Sequence, residues 1–436
     1  MRSLWLALVL VAAMSAGAAA QQPALPSGPI TLLQAISLGR QQAVSATVAR
    51  LNQRAAQART AQRRADLLPD ISGSASVTRQ TVNLDEFGIP IATGVTDPFS
   101  IWRLQLRASQ TVFDASAIAR LRAARDTAVA AGLDAQAVGE IAGATSGLAY
   151  LQVLSAQETV RARLADSTVA AQLLDEARQR VSAGVSPAID ATRSEVSFGA
   201  VRTQLEVARN AADRARLELL RTLDLPPSTR LTLADSLGLG GLSVPLDPAQ
   251  AASFAREHRA ELAAERARTL ASRRTLKAIK YENLPSLDLG GMYQQTGQRT
   301  GNLEGSYAVQ LQLTVPILDG FRRQNRSREE SERLQIQQLR ERDLGNQVET
   351  EAREAVLDLA SAQQQVTIAG DRLRLAEQEL SQAGDRFQSG VAGSVETTTA
   401  QSSVIAARDA LIQARLNYGT ARVTAYRALG VIDQLQ

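Results

Sequence analysis

RVSAGVSPAID at residues 180–190 and RFQSGVAGSVE at residues 386–396 are one turn written twice. Arg180 matches Arg386, Gly184 matches Gly390, Val185 matches Val391, and Asp190 matches Glu396. Carrying the 206-residue offset through residue 223 without a gap leaves 14 identities in 44 positions, among them Thr192/Thr398, Arg209/Arg415, Arg221/Arg427 and Leu223/Leu429. A self-match at this spacing implies a twofold internal repeat of about 200 residues. Each glycine sits where a helix stops and the backbone needs positive φ. Ser186-Pro187 and Gly393-Ser394 then open the next helix.

Upstream of each turn the chain keeps a seven-residue period. In the second copy Leu359, Val366, Leu373, Leu380 and Phe387 recur at that spacing, with Ala362, Ala369, Ala376 and Ala383 between them. In the first copy Val153, Val160, Leu174 and Val181 hold the same places with Ala156, Ala170 and Ala177, while Arg163 and Ser167 interrupt. This is a coiled-coil seam that supercoils left-handedly, and its alanines let the helices approach closely. The pattern predicts long helices over 115–181 and 321–387, each roughly 100 Å at 1.5 Å per residue. Shorter return helices are expected over 188–223 and 395–429, with further helices over 31–68 and 248–281. The helix over 248–281 is expected to stack on that over 188–223, and the N-terminal helix to complete the second return.

Before each long helix the period changes to two. Ile71, Gly73, Ala75 and Val77 alternate with Ser72, Ser74, Ser76 and Thr78; Trp102, Leu104, Leu106 and Ala108 alternate with Arg103, Gln105, Arg107 and Ser109. The second copy sets Tyr307, Val309, Leu311, Leu313 and Val315 against Gln310, Gln312 and Thr314, after Leu287, Leu289 and Tyr293. These are strands with one apolar and one polar face, paired as hairpins over 70–112 and 286–317. No amphipathic helix is left over to cover the apolar face, because the seams pair helices with helices. Strands of this length and alternation span an outer membrane. A sheet in lipid must close, and four strands are too few to surround a channel, so several chains must pool theirs. Trp102, Tyr293 and Tyr307 are expected at the membrane interfaces.

Composition removes most other function classes. The first twenty residues read as a secretory signal, with Arg2, an apolar run from Leu4 to Met14 and Ala18-Ala19-Ala20 before Gln21. There is no cysteine, hence no disulfide, thiolate site or lipidated cysteine, and the one histidine, His258, lies in a charged helical face. The 48 basic and 44 acidic side chains leave a net charge of +4 spread over mixed helix faces. No basic stripe interleaved with aromatics suggests nucleic acid. GLGLGG at 237–242 lacks the strand-to-helix setting of a dinucleotide loop and reads as a connector. No cofactor, metal site or catalytic constellation is expected. The layout is therefore a signal at 1–20, a first repeat at 21–223, a linker at 224–248 and a second repeat at 249–436. The fold class is mixed α and β: long coiled-coil helices joined to a transmembrane β-barrel pooled between chains.

With the doubled R-x-x-x-G-V turn, Leu68-Pro69 and Leu284-Pro285 before the first strand of each hairpin, and the strand exits QTVFDAS (110–116) and VPILDGFRR (315–323), the chain resembles the TolC-type outer-membrane efflux family over nearly all of its length. The resemblance implies a homotrimer in outer-membrane lipid, with twelve pooled strands and twelve helices continuing as a periplasmic tunnel. It also implies a periplasmic membrane-fusion adaptor and an inner-membrane RND or ABC pump. The tips, with Arg180, Gly184, Val185, Ser186, Arg386, Gly390, Val391 and Ala392, would dock the adaptor. Asp190 would hold the tunnel end closed through an interhelical contact, and Glu396 would form a carboxylate ring there. A helix N-terminus favours either carboxylate locally as well. Thr399 stands where the family places a second gate carboxylate and Ala392 where it often has a basic residue, so the gate is expected to be less acidic and less tightly latched. Phe387 keeps the family's aromatic before the turn but also fits the seam. A lumen lined by Gln, Ser and Thr is expected to select little. A secreted coiled-coil adhesin or scaffold is the alternative reading; it leaves the four alternating strands unexplained.

Overall fold

The computed structural model describes residues 28–84, 94–237, 247–391 and 393–435. The proposed signal, most of GLGLGG, the middle of the first hairpin loop and Ala392 lie outside these residues. In chain order the elements are α1 (Leu32–Gln42), α2 (Val44–Ala65), β1 (Asp70–Gln80), β2 (Phe99–Phe113), α3 (Ala115–Ser182), α4 (Ala188–Thr222), α5 (Pro248–His258), α6 (Ala260–Tyr281), β3 (Ser286–Gly297), β4 (Glu304–Thr314), α7 (Arg322–Gln388) and α8 (Ser394–Ala428). A short 3₁₀ turn at Ile432–Gln434 follows. None of the described helices is long and apolar enough to cross a membrane.

The two short helices expected as continuous are each broken once. Ala43 (φ −50°, ψ 137°) divides α1 from α2, and Arg259 (φ −68°, ψ 116°) divides α5 from α6. Both breaks separate 11 residues from 22. Neither position carries Gly or Pro, so local sequence gave no sign of the bend. Tertiary bonds hold it at Arg259, whose buried guanidinium donates to Glu261 at 2.7 Å, to Glu351 at 2.9 Å and to the Ala428 carbonyl at 3.2 Å. Burial by itself would lower the Arg259 pKa, but the two carboxylates hold it above its ordinary value. At the first bend, a β-carbon on Gly39 would lie 2.1 Å from Ser146 Oγ, so only glycine lets α1 approach α3 this closely.

The stacking of the short helices also differs from expectation. Above, α3 is flanked by α2 on one side and α6 on the other, and α6 also packs on α7; below, α4 packs mainly on α3 and meets α8 only lightly, while α8 lies between α3 and α7. Thus α2 stacks over α4 and α6 over α8, the reverse of the expected pairing. Sheet order dictates this. The strands run β1-β2-β3-β4, so the helices attached to them must run α2, α3, α6, α7. Residues 224–237, which follow α4, therefore cross the face of α3, where Asp235 meets Tyr150, rather than continuing up the same side.

All strand pairs are antiparallel, and the register carries the two faces across the sheet. Val77, Ala75, Gly73 and Ile71 lie opposite Trp102, Leu104, Leu106 and Ala108. The same face continues from Leu106 to Tyr293 and from Ala108 to Gly291, then to Tyr307 and Val309, with Leu289 against Leu311 and Leu287 against Leu313. Among the described residues nothing covers this face: Ile71, Val309 and Leu311 are 68%, 73% and 64% exposed.

The core is gathered elsewhere, around the middle of α3. Tyr150, Leu219, Leu220, Leu223, Tyr426 and Leu429 are fully buried there, with α1 and α5 packed alongside. Tyr150 Oη donates to the Ile30 carbonyl at 2.8 Å and bonds Asp235 at 3.0 Å, tying the N-terminal segment to the crossing segment. Toward the tips the seam narrows to Leu359, Ala362, Val366, Ala369, Ala376, Ala383 and Phe387, all buried, while Leu373 and Leu380 of the same seven-residue series are half-buried. His258 is exposed, with its ring stacked on Phe254 at 3.9 Å.

Candidate functional site

Both tips end their long helix in the same way. Gly184 (φ 71°) and Gly390 (φ 74°) adopt the left-handed conformation. Val185 N–H reaches the Arg180 carbonyl and Val391 N–H the Arg386 carbonyl, each at 3.0 Å. These 6→1 bonds satisfy carbonyls that the helix end would leave open. The bond needs the positive φ, and an L side chain at either glycine would strain it. Val185 and Val391 stand exposed at the apex, 71% and 68% accessible.

Beyond this shared frame the tips differ in their polar contacts. Arg180 reaches from the first tip to the second: its Nη2 donates to the Gln388 carbonyl at 2.7 Å, and its guanidinium lies 4.5 Å from the centre of the Phe387 ring. Asp190 is buried and also bridges the tips, accepting from Ser394 Oγ at 2.6 Å and from Ser186 Oγ at 3.2 Å. In the second tip the corresponding pair closes on itself, with Arg386 Nε donating to Glu396 at 2.9 Å. Glu396 therefore carries its own counter-charge, which weakens the expected picture of a free carboxylate. Thr399 is exposed and its hydroxyl donates to the Val395 carbonyl at 2.8 Å. Phe387 is 3% exposed, a seam residue.

Above the tips lies a charge cluster that sequence patterning treated only as an interruption. Arg163 and Asp166 on α3 are buried, at 8% and 3% exposure. Arg163 donates to Asp166 at 3.0 Å and pairs with Asp409 on α8, while Arg408 on α8 pairs with Asp166 and lies 3.7 Å from Glu377 on α7. Burial alone would lower the Arg163 pKa; the bonds to Asp409 and Asp166 hold it above its ordinary value. The available signal was Arg163 itself, a charge in an apolar seam position. Such a residue needs a partner on the facing helix.

The three aromatics expected at membrane interfaces all lie on the apolar sheet face. Tyr293 and Tyr307 are direct partners, while Trp102 sits opposite Gly297 nearer the hairpin ends. The register thus gives two levels, about 13 Å apart along the strands, rather than a single belt. Among the described residues no group of His, Asp and Glu is placed to hold a metal ion.

The profile described as "Outer membrane efflux protein" matches residues 35–223 and 251–431. The chain belongs to the outer membrane efflux protein family. It is 26% identical over 419 residues to Protein CyaE of Bordetella pertussis, covering 87% of this chain and 79% of the relative. Its fold is that of the CmeC outer membrane channel of Campylobacter jejuni, with a TM-score of 0.81 at 14% identity over 95% of this chain and 91% of that one. VceC of Vibrio cholerae, an outer membrane protein, gives a TM-score of 0.78 at 18% identity, covering 92% of this chain and 96% of that one. As a family member the protein is an outer-membrane efflux channel component, with strands at the membrane end and helices extending into the periplasm.

The Arg163–Asp166 cluster makes a direct stability prediction. Asp166→Asn removes the buried carboxylate shared by Arg163 and Arg408, leaving them only Asp409 and Glu377, a loss on the order of 3 kcal/mol. The thermal unfolding midpoint of the detergent-purified protein should fall clearly, and Asp166→Asn combined with Arg408→Met should recover part of the loss. An unchanged midpoint in the single variant contradicts a structural role for the cluster.

Proposed function

We propose that three copies of this chain pool their strands into one twelve-stranded barrel and their helices into a tunnel that passively carries cargo outward. The supporting observation is the sheet: one largely apolar face, interrupted by Gln110 and Gln295 and uncovered among the described residues, with β1 and β4 as open edges, in a chain of an outer-membrane family. Lipid accepts the apolar face, and closure between copies satisfies both edges. A secreted adhesin or scaffold leaves the same face in water. Energy for transport then comes from a partner, an inner-membrane RND or ABC pump reached through a periplasmic adaptor.

The tips are the adaptor's docking surface in this reading, and their internal bonds form the latch. Val185, Ile189, Val391 and Val395 present exposed apolar side chains at the apex, on a frame held rigid by Gly184 and Gly390. Asp190 and Arg180 tie the first tip to the second within the chain, so opening the tunnel end requires breaking the Asp190–Ser394 and Arg180–Gln388 bonds. Ala392 and Thr399 supply no further charge to that latch.

Two substitutions separate latch from docking. Asp190→Ala should leave assembly intact and raise single-channel conductance in planar bilayers; conductance equal to that of the unsubstituted protein contradicts the latch. Val185→Asp with Val391→Asp should keep the channel at normal outer-membrane levels while abolishing efflux, measured as drug sensitivity of the host strain. Normal resistance would place adaptor docking elsewhere.

A further inference from the structure

The polar face of the sheet carries arginines for which the described residues provide no partner. Arg103 and Arg107 on β2 are both exposed and lie on the face opposite the apolar one. Neither makes an ion pair or side-chain hydrogen bond among the described residues, in a chain whose helices are laced with such pairs. Register separates their settings. Across the sheet at Arg107 stand Ser72, Met292 and Ala308, none of them charged. Across the sheet at Arg103 stand Ser76, Thr296 and then Glu304, a carboxylate two strands away. At the helix end of the same face Asp288 is held by Thr111 Oγ1 at 3.0 Å, and Asp70 lies opposite Ser109.

We propose that Arg107 forms a positive ring inside the pooled barrel, reinforced by Arg103, and that this ring makes the channel favour small organic anions bearing carboxylate, sulfonate or phosphate groups. The inference rests on the pooled twelve-stranded barrel. Twelve strands spaced 4.8 Å apart and tilted by about 40° enclose a backbone radius on the order of 12 Å. The Debye length at 0.1 M salt is about 10 Å, so no permeant passes the ring outside its field. A guanidinium also pairs with carboxylate and phosphate by two parallel hydrogen bonds. At the opposite end of the molecule Glu396 is neutralised by Arg386 at 2.9 Å, and Asp190 is buried and bonded within the chain. Arg107 thus has a stronger claim to selectivity than the carboxylates of the tips.

The chain contains no cysteine, so Arg107→Cys places a single addressable thiol at the ring. The purified full-length protein is reconstituted in planar bilayers under a KCl gradient near 0.1 M, and the chloride-to-potassium permeability ratio is read from the reversal potential. The unsubstituted channel should prefer chloride, less so at 1 M salt where the field is screened. Arg107→Cys should lower the ratio about two-fold or more, whereas Arg107→Lys should leave it nearly unchanged. Trimethylammonioethyl methanethiosulfonate should restore the ratio in the cysteine variant, and the sulfonatoethyl reagent should drive it toward potassium. In each case the thiolate forms a mixed disulfide and releases methanesulfinate. Conducting channels whose ratio responds to neither substitution nor reagent overturn the inference alone. No conductance from the unsubstituted protein overturns the pooled barrel and the inference with it.

Discussion

Open backbone edges along β1 and β4 are the constraint on which the rest of the molecule depends. Each edge strand presents unpaired N–H and C=O groups, and in lipid each such group left unpaired costs several kcal/mol. The uncovered apolar face forbids water, and the edges forbid lipid unless they are joined to something. In the proposed assembly, joining β4 of one copy to β1 of the next meets both conditions. Strand order within the sheet also sets the helix layout, because each strand hands its position to the helix attached to it. That is why α2, α3, α6 and α7 follow strand order, and why the segment after α4 must cross α3.

Helical length creates a second demand, which the chain meets with small side chains and charge. A wall roughly one helix thick has little interior, and the main core lies around Tyr150, Leu223 and Tyr426 at mid-length. Elsewhere the wall relies on alanine seams, where each contact buries little area, and on ion pairs between neighbouring helices. Arg274 with Asp126 at 3.0 Å and Arg326 with Glu282 at 2.8 Å are such pairs toward the strands. Arg163, Asp166, Arg408 and Asp409 serve the lower half. Paired arginines and carboxylates fix helix register more sharply than interchangeable alanines, since a one-residue slip would leave a buried charge alone.

Features set by local chemistry were legible in the sequence. The glycines at 184 and 390 announce positive φ, the seven-residue run through Leu359 announces the buried seam, and the alternation in 70–77 and 101–108 announces the sheet with its two faces. Features set by distant contacts were not. The bend at Arg259 depends on Glu351 and the Ala428 carbonyl, neither near in sequence. The stacking of α6 over α8 follows from strand order, which alternation alone does not give. At the tips, the repeat pairs Asp190 with Glu396 but does not show their partners: Asp190 bridges to Ser394 while Glu396 closes on Arg386. The difference arises because the second tip supplies Ser394 to the first, and the single-chain turn pattern contains no information about which tip faces which.

Counting the chains in the intact assembly tests the pooled sheet most directly. The protein, extracted from outer membranes in mild detergent and kept unheated, is measured by native mass spectrometry. A single complex of three identical chains, twelve strands in all, is expected. A monomer as the predominant species would leave the edges of β1 and β4 open in lipid and contradict the account.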